Sequence, residues 1–161
     1  MRLGMKKKRT HKSLFVKLSV ATLVSALPNG AFAQNLNCFE NLIFGEITTC
    51  GAPGTVIVRP DNSSTPSCVT VSGPISRARC VVTQSFPFRQ IQVNVSAAAV
   101  ISSGANTMNV TNFNIVTNGG GTSATATAPF LNVPIGATLN IGGSQAGGTY
   151  SGSFNVTAIL N

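Results

Sequence analysis

Four cysteines, Cys38, Cys50, Cys68 and Cys80, are the residues of this 161-residue chain best equipped for chemistry. A thiolate can attack, ligate a metal or oxidise to a disulfide, and spacing and surroundings decide among these. No C-x-x-C pair occurs, so neither a zinc cluster nor a dithiol redox centre has its usual framework. Disulfides are the reading that remains, and four cysteines allow three pairings. If "CVTVSGPISRARC" folds as a hairpin centred on Pro74, Cys68 lies opposite Cys80. Opposed antiparallel residues have Cα atoms about 4.5 to 5.5 Å apart, within disulfide reach. Cys38 with Cys50 then follows by elimination only.

The rest of the chemical inventory is sparse. The one histidine, His11, and all the lysines fall within the first 17 residues, and the carboxylates are Glu40, Glu46 and Asp61. General acid–base catalysis draws on histidine or a tuned carboxylate pair. Glu40 and Glu46 would serve as a glycosidase pair only if the fold set them about 5 to 10 Å apart across a cleft, and solvated surface charges are the plainer reading. Three scattered acids do not make a calcium site, which takes about six to eight oxygens. The glycine run 119–121 has no following lysine and reads as a hairpin loop. The expectation is a non-enzyme with no catalytic residue, no metal and no cofactor. Arg77 and Arg79, two apart on one strand face with Arg89 expected nearby in space, are the candidates for contact with an anionic sugar or lipid headgroup, set against an ordinary solvated face. Tryptophan is absent, Tyr150 is the only tyrosine, and the phenylalanines mostly fall in core phases, so a carbohydrate-binding face has no signature.

The segment before the cysteines decides the compartment. Arg2, Lys6, Lys7, Lys8, Arg9 and Lys12 precede an apolar run over residues 14–27, followed by Ala31-Phe32-Ala33. That is the pattern of a cleaved helical signal peptide, residues 1–33, with cleavage before Gln34. The run is short of the roughly 20 apolar residues of a permanent span. With Lys17 included, the leader holds seven of the 11 lysines and arginines, leaving four arginines against three carboxylates. The formal charge of +8 therefore belongs to the precursor, and nucleic-acid binding loses its argument. Residues 34–161 suffice for one domain with a core, in a compartment where cysteines pair.

Short runs rich in Val, Ile and Thr fill that domain. Residues 41–47, 54–60, 68–73, 78–83, 88–95, 104–117 and 137–141 read as strands, with "DNSSTPS" (61–67) as an exposed loop and "SATATA" as a small-residue edge strand. Within 104–117 the alternation changes phase near residues 110–113, which signals a bulge or a strand buried on both faces. The closing "GGTYSGSFNVTAILN" alternates almost perfectly, with Tyr150, Phe154, Val156 and Ala158 on one side and Ser151, Ser153 and Asn155 on the other. Eight or nine short strands with frequent turn signals predict an all-β fold, an antiparallel sandwich.

"LIFGEI", "GTVIVRP", "GANTMNVTNF" and "IGATLNIGGSQAGGTYSGSFNVT" resemble the bacterial exported domain-of-unknown-function family 4402 over nearly all of residues 41–161. The Leu-x-Phe-Gly opening and Gly-x-Tyr-x-Gly-x-Phe close are also similar to spore coat protein U type domains and pilin-like subunits. The resemblance implies an immunoglobulin/pilin-like sandwich, with Cys80, Val82 and Gln84 standing where the family pattern has an aromatic, a small apolar residue and a glycine. Polymerising pilins carry a long N-terminal donor segment, whereas here only residues 34–40 precede the first expected strand. The expectation is therefore a self-complete sandwich sealed by its own last strand.

These observations point to an exported, non-enzymatic structural or adhesive protein of the periplasm, outer surface or extracellular space. It would be fimbria-related, with other envelope or pilus-like subunits as partners through sheet edges. A soluble periplasmic or secreted binding module, using the Arg77/Arg79 face or the loops around Asp61, is the alternative.

Overall fold

The computed structural model describes residues 14–24, 34–115 and 121–161. The basic N-terminal cluster, the expected cleavage site and most of the glycine run lie outside the described residues. Thirteen strands make up what is described: β1 (Leu14–Val24), β2 (Gln34–Glu40), β3 (Leu42–Thr49), β4 (Gly54–Val58), β5 (Ser64–Ser67), β6 (Val69–Ser72), β7 (Ala78–Gln84), β8 (Gln90–Val95), β9 (Ala98–Ser103), β10 (Asn106–Ile115), β11 (Ser123–Thr127), β12 (Phe130–Ile141) and β13 (Gly148–Leu160). There is no helix among them, and none long and apolar enough to cross a membrane. The fold is all-β, as the alternation predicts, with more strands than the eight or nine expected. The extra ones are β1, β2, β5 and β9. Half of the expected 61–67 loop is in fact β5, an exposed edge strand paired only with β4.

The strands follow one hydrogen-bonded path, β2-β7-β12-β10-β9-β13-β1-β3-β6, with β4, β5, β8 and β11 attached to it. Two long strands make the path curl. β12 gives one edge first to β7, through residues 130–135, and then to β4, through residues 137–141, while β10 holds its other edge. β13 likewise pairs with β9 at Ser151 and Gly152 and with β8 from Val156 to Leu160. A strand that changes partners midway belongs to two layers, so a single sheet closes over one core. Every pairing on the path is antiparallel except one: β1 runs parallel to β13, which makes the sheet mixed.

Side-chain alternation sorts residues into that core. In β13, Tyr150, Phe154, Val156 and Ala158 are buried and Ser151, Ser153 and Asn155 are exposed, as their period of two requires. The phase change in β10 is a bulge: register shifts between Thr111 and Asn114, Asn112 takes φ 52°, and burial passes from Met108 and Val110 to Phe113 and Ile115. Asparagine tolerates that left-handed conformation better than most residues. The shift brings the Phe113 ring to 4.9 Å from the Phe154 ring, across the core.

Two expectations fail here. Residues 14–24, expected to be part of a helical signal peptide, form the strand β1; Val16 and Leu18 alternate with exposed Lys17 and Ser19, a period that suits a slot between strands. The last strand does not seal the sandwich alone, because its outer edge is covered by β1, which in turn bridges to β3.

Gly136 sits where β12 changes partners. A Cβ there would collide with the Val58 carbonyl oxygen and with the Pro60 ring. Backbone cannot yield as a side chain does, so Gly136→Ala should lower stability by about 1 to 3 kcal/mol. Urea unfolding checks this, with a lower midpoint at unchanged slope as the expected result.

Candidate functional site

Both pairs of cysteines are bonded, but not in the hairpin pairing. The bridges are Cys38–Cys80 and Cys50–Cys68, and no cysteine is free. The Cys68–Cys80 expectation assumed that β6 and β7 pair with each other; β6 pairs with β3 instead, and β7 lies between β2 and β12. The opposed-residue rule itself holds on a different pair of strands, since Cys38 stands directly across from Cys80 in the β2–β7 ladder. Cys50 and Cys68 tie the turn after β3 to the residue that enters β6.

Arg79 sits beside the first bridge. Register slips between Cys38 and Glu40, so that consecutive residues serve the same guanidinium. Glu40 Oε1 accepts from Arg79 Nη2 at 3.2 Å, and the Phe39 ring lies 4.6 Å below the guanidinium carbon. Arg77 is bound elsewhere: its Nη1 donates to the Pro60 carbonyl at 2.8 Å, and its backbone N–H donates to Asn62 Oδ1 at 2.9 Å. The two guanidiniums are thus held by different partners. Each clips a different neighbour to β7. Glu40 is engaged by Arg79.

Asp61 and Asn62 shape the turn between β4 and β5. Asp61 Oδ1 accepts from the Ser63 hydroxyl at 2.6 Å and from the Ser63 backbone N–H at 2.8 Å. These bonds, the hydroxyl foremost, hold the Asp61 carboxyl below its ordinary range, with Arg59 adding to the effect. Asn62, at φ 71°, completes the turn. Beside it opens a cleft of about 420 Å³, lined by Arg59 and Asp61 from the turn, Asn112 and Asn114 from the β10 bulge, and Thr138 from β12. Its floor is apolar, from Ile57, Val58 and Ala137. Such a cleft offers hydrogen bonds and paired charges to a polar ligand. The loop around Asp61 was legible in the sequence; the asparagines opposite it were not, because only the bulge brings them there.

A second surface lies at the end of β7. Gln84 stitches two loops together: its amide donates to the carbonyls of Ala128 and Arg89, its Oε1 accepts from the Arg89 N–H, and its own N–H donates to Pro129. That holds the 85–89 connection against the start of β12. Phe86, Phe88 and Phe130 are exposed there, at 82, 44 and 61 %, with Phe86 and Phe88 edge to face at 5.8 Å. The expectation that phenylalanines mostly fill the core is corrected accordingly. Phe44, Phe113 and Phe154 are buried, whereas Phe39 and these three are not. Tyr150 is a core residue whose hydroxyl accepts from Gln145 and donates to the Ala146 carbonyl. Among the described residues, no three of His, Cys, Asp and Glu gather where they could hold a metal ion.

A family described as a domain of unknown function (DUF4402) matches residues 36–159. No curated protein and no solved structure matches the chain.

Two measurements test the site. Non-reducing peptide mapping should recover Cys38 linked to Cys80 and Cys50 linked to Cys68. Because the first closes the longer loop (sequence separation 42 against 18), replacing it with serines should cost about 4 kcal/mol and replacing the second about 3 kcal/mol in the chain-entropy account. The Asp61 carboxyl should titrate below the ordinary 3.8, and Ser63→Ala should move its NMR midpoint back up. Since the folded state holds this pKa down, the turn's contribution is present above the ordinary value and lost as pH falls through the lowered one.

Proposed function

Because the chain belongs to the DUF4402 family, whose function is unknown, its role has to be argued from its own residues, and we propose that it is an exported, non-enzymatic structural or adhesive protein of the cell envelope or surface, fimbria-related, that works through its sheet edges. The observation that carries this reading is the disulfide pair: all four cysteines outside the leader are consumed in two bridges that staple the first third of the domain, which suits an oxidising compartment. The leader pattern agrees with it. So does the shortage of catalytic groups, since the carboxylates Glu40 and Asp61 and the hydroxyl of Tyr150 are engaged in structural contacts.

A soluble periplasmic or secreted binding module is the second reading, and the exposed Phe86, Phe88 and Phe130 end favours it. Exposed aromatic clusters are unusual on a surface with no partner.

Fractionation with thiol alkylation separates these from a cytoplasmic protein. The expected result is recovery from the envelope or medium with no alkylatable thiol unless reduced; four reactive thiols in the cytoplasm would overturn the proposal. Assemblies that resist detergent until heated support the structural reading. A monomer whose binding to cells is lost in a Phe86→Ala, Phe88→Ala, Phe130→Ala variant supports the module.

A further inference from the structure

β1 occupies a slot that belongs to other strands. It lies parallel to β13, from Leu14 opposite Gly148 to Val24 opposite Ala158, and antiparallel to β3, from Leu14 opposite Ile47 to Leu18 opposite Leu42. Val16 and Leu18 are fully buried. Val16 stands between Tyr150 and Gly45, and Leu18 between Gly152 and Leu42; the partly buried Val20 stands beside Phe154. The exposed Lys17 and Ser19 face Ser151 and Ser153 on the solvent side. Nothing else on the path joins β13 to β3.

β1 is also the apolar centre of the segment that reads as an export signal. Cleavage before Gln34 would therefore remove an interior strand from a sheet whose remaining strands stay in place. It would leave the β13 edge and the β3 edge facing each other about 10 Å apart, the width of one missing strand. Both edges would present unpaired backbone groups, above a floor of apolar side chains.

Among the described residues, every strand of the processed chain already has a place elsewhere in the sheet. Gln34–Glu40, the segment next to the cut, is β2, which pairs with β7 at the far end of the strand order and is bonded there through Cys38–Cys80. In a second copy the same bond likewise tethers β2 to its own β7.

We propose that the slot between β3 and β13 is an acceptor for a strand donated by a different protein. That strand runs parallel to β13, pairs by backbone hydrogen bonds on both sides, and presents apolar side chains at alternate positions to the pockets that Val16 and Leu18 occupy here. The outward positions of the donor are polar. This inference rests on the export and processing proposed above, and it names the edge through which that reading would operate.

The test folds the protein with β1 in place and then frees it. A full chain carrying a site-specific protease sequence within residues 25–33 is purified folded, cut, and mixed with an excess of a labelled peptide of residues 13–24, with lysines appended for solubility. The proposal expects the peptide to exchange into the cut protein one to one and to raise its Tm. A peptide with Val16→Asp and Leu18→Asp should bind roughly a hundredfold more weakly or not at all. In parallel, intact mass of the protein isolated from its own cell envelope locates the mature N-terminus. A start at Gln34 with peptide exchange supports the proposal. A start at Gln34 with a cut protein that stays equally stable and takes neither peptide overturns the acceptor while leaving export standing. A mature protein that retains residues 14–24 overturns both, because β1 is then a permanent strand.

Discussion

An interior strand of a sheet must find hydrogen-bond partners along both edges, and in this fold the strand most exposed to that constraint is β13. One of its edges is met by β9 and then β8, both from the domain itself. The other is met only by β1, a segment distant in sequence and separated from the rest by residues outside the described part of the chain. The core depends on this pairing as much as the ladder does. Tyr150, Phe154 and Leu42 are buried partly because apolar side chains of β1 stand next to them in register. Backbone satisfaction and apolar burial are thus one requirement at this seam, and any strand that meets the first with alternating side chains meets the second.

The disulfides act at the two ends of the strand path. Cys38–Cys80 fastens β2 to β7, while Cys50–Cys68 holds the end strand β6 against β3. β6 pairs with β3 alone, and β5 with β4 alone, so the corner between them has little buried side-chain area to stabilise it: all of β5 is exposed. A crosslink there substitutes for the core that four-residue edge strands cannot build. The Arg79 arrangement is similar on a smaller scale, an exposed ion pair and ring contact that adds about 1 kcal/mol or less to a margin already bonded covalently.

Local patterns in the sequence were reliable where one strand's own alternation decided the outcome. β13 reads inward at Tyr150, Phe154, Val156 and Ala158 from its period alone, and the β10 bulge is visible as a slip in phase between Val110 and Phe113. Pairing partners were not legible, because period two says which face a residue takes and nothing about which strand lies beside it. The disulfide expectation failed on that point: a correct rule for opposed residues was applied to the sequence neighbours β6 and β7, which go to different parts of the sheet. β2 and β9 were missed for a related reason. "QNLNCFE" and "AAVISS" are too polar or too small to announce a strand, and they extend because established neighbours offer them an edge. Of the candidate site, Asp61 was legible as a turn residue, whereas Asn112 and Asn114 reach its cleft only through the bulge.

β1 is the case where sequence and structure give different accounts of the same residues, and physics reconciles them. "LFVKLSVATLV" combines the hydrophobicity that reads as an export signal with β-branched residues and a polar residue at alternate positions, Lys17 and Ser19. Such a segment has no strong commitment to a helix; where a slot lined by two strand edges is available, the same residues satisfy it as a strand. The slot is therefore the determining feature and the segment only one sequence able to fill it. What the slot demands is modest and general: an extended backbone and apolar groups at two successive inward positions, those that Val16 and Leu18 take here. A site with demands of that kind recognises a class of strands, which is the physical basis for taking one strand in exchange for another.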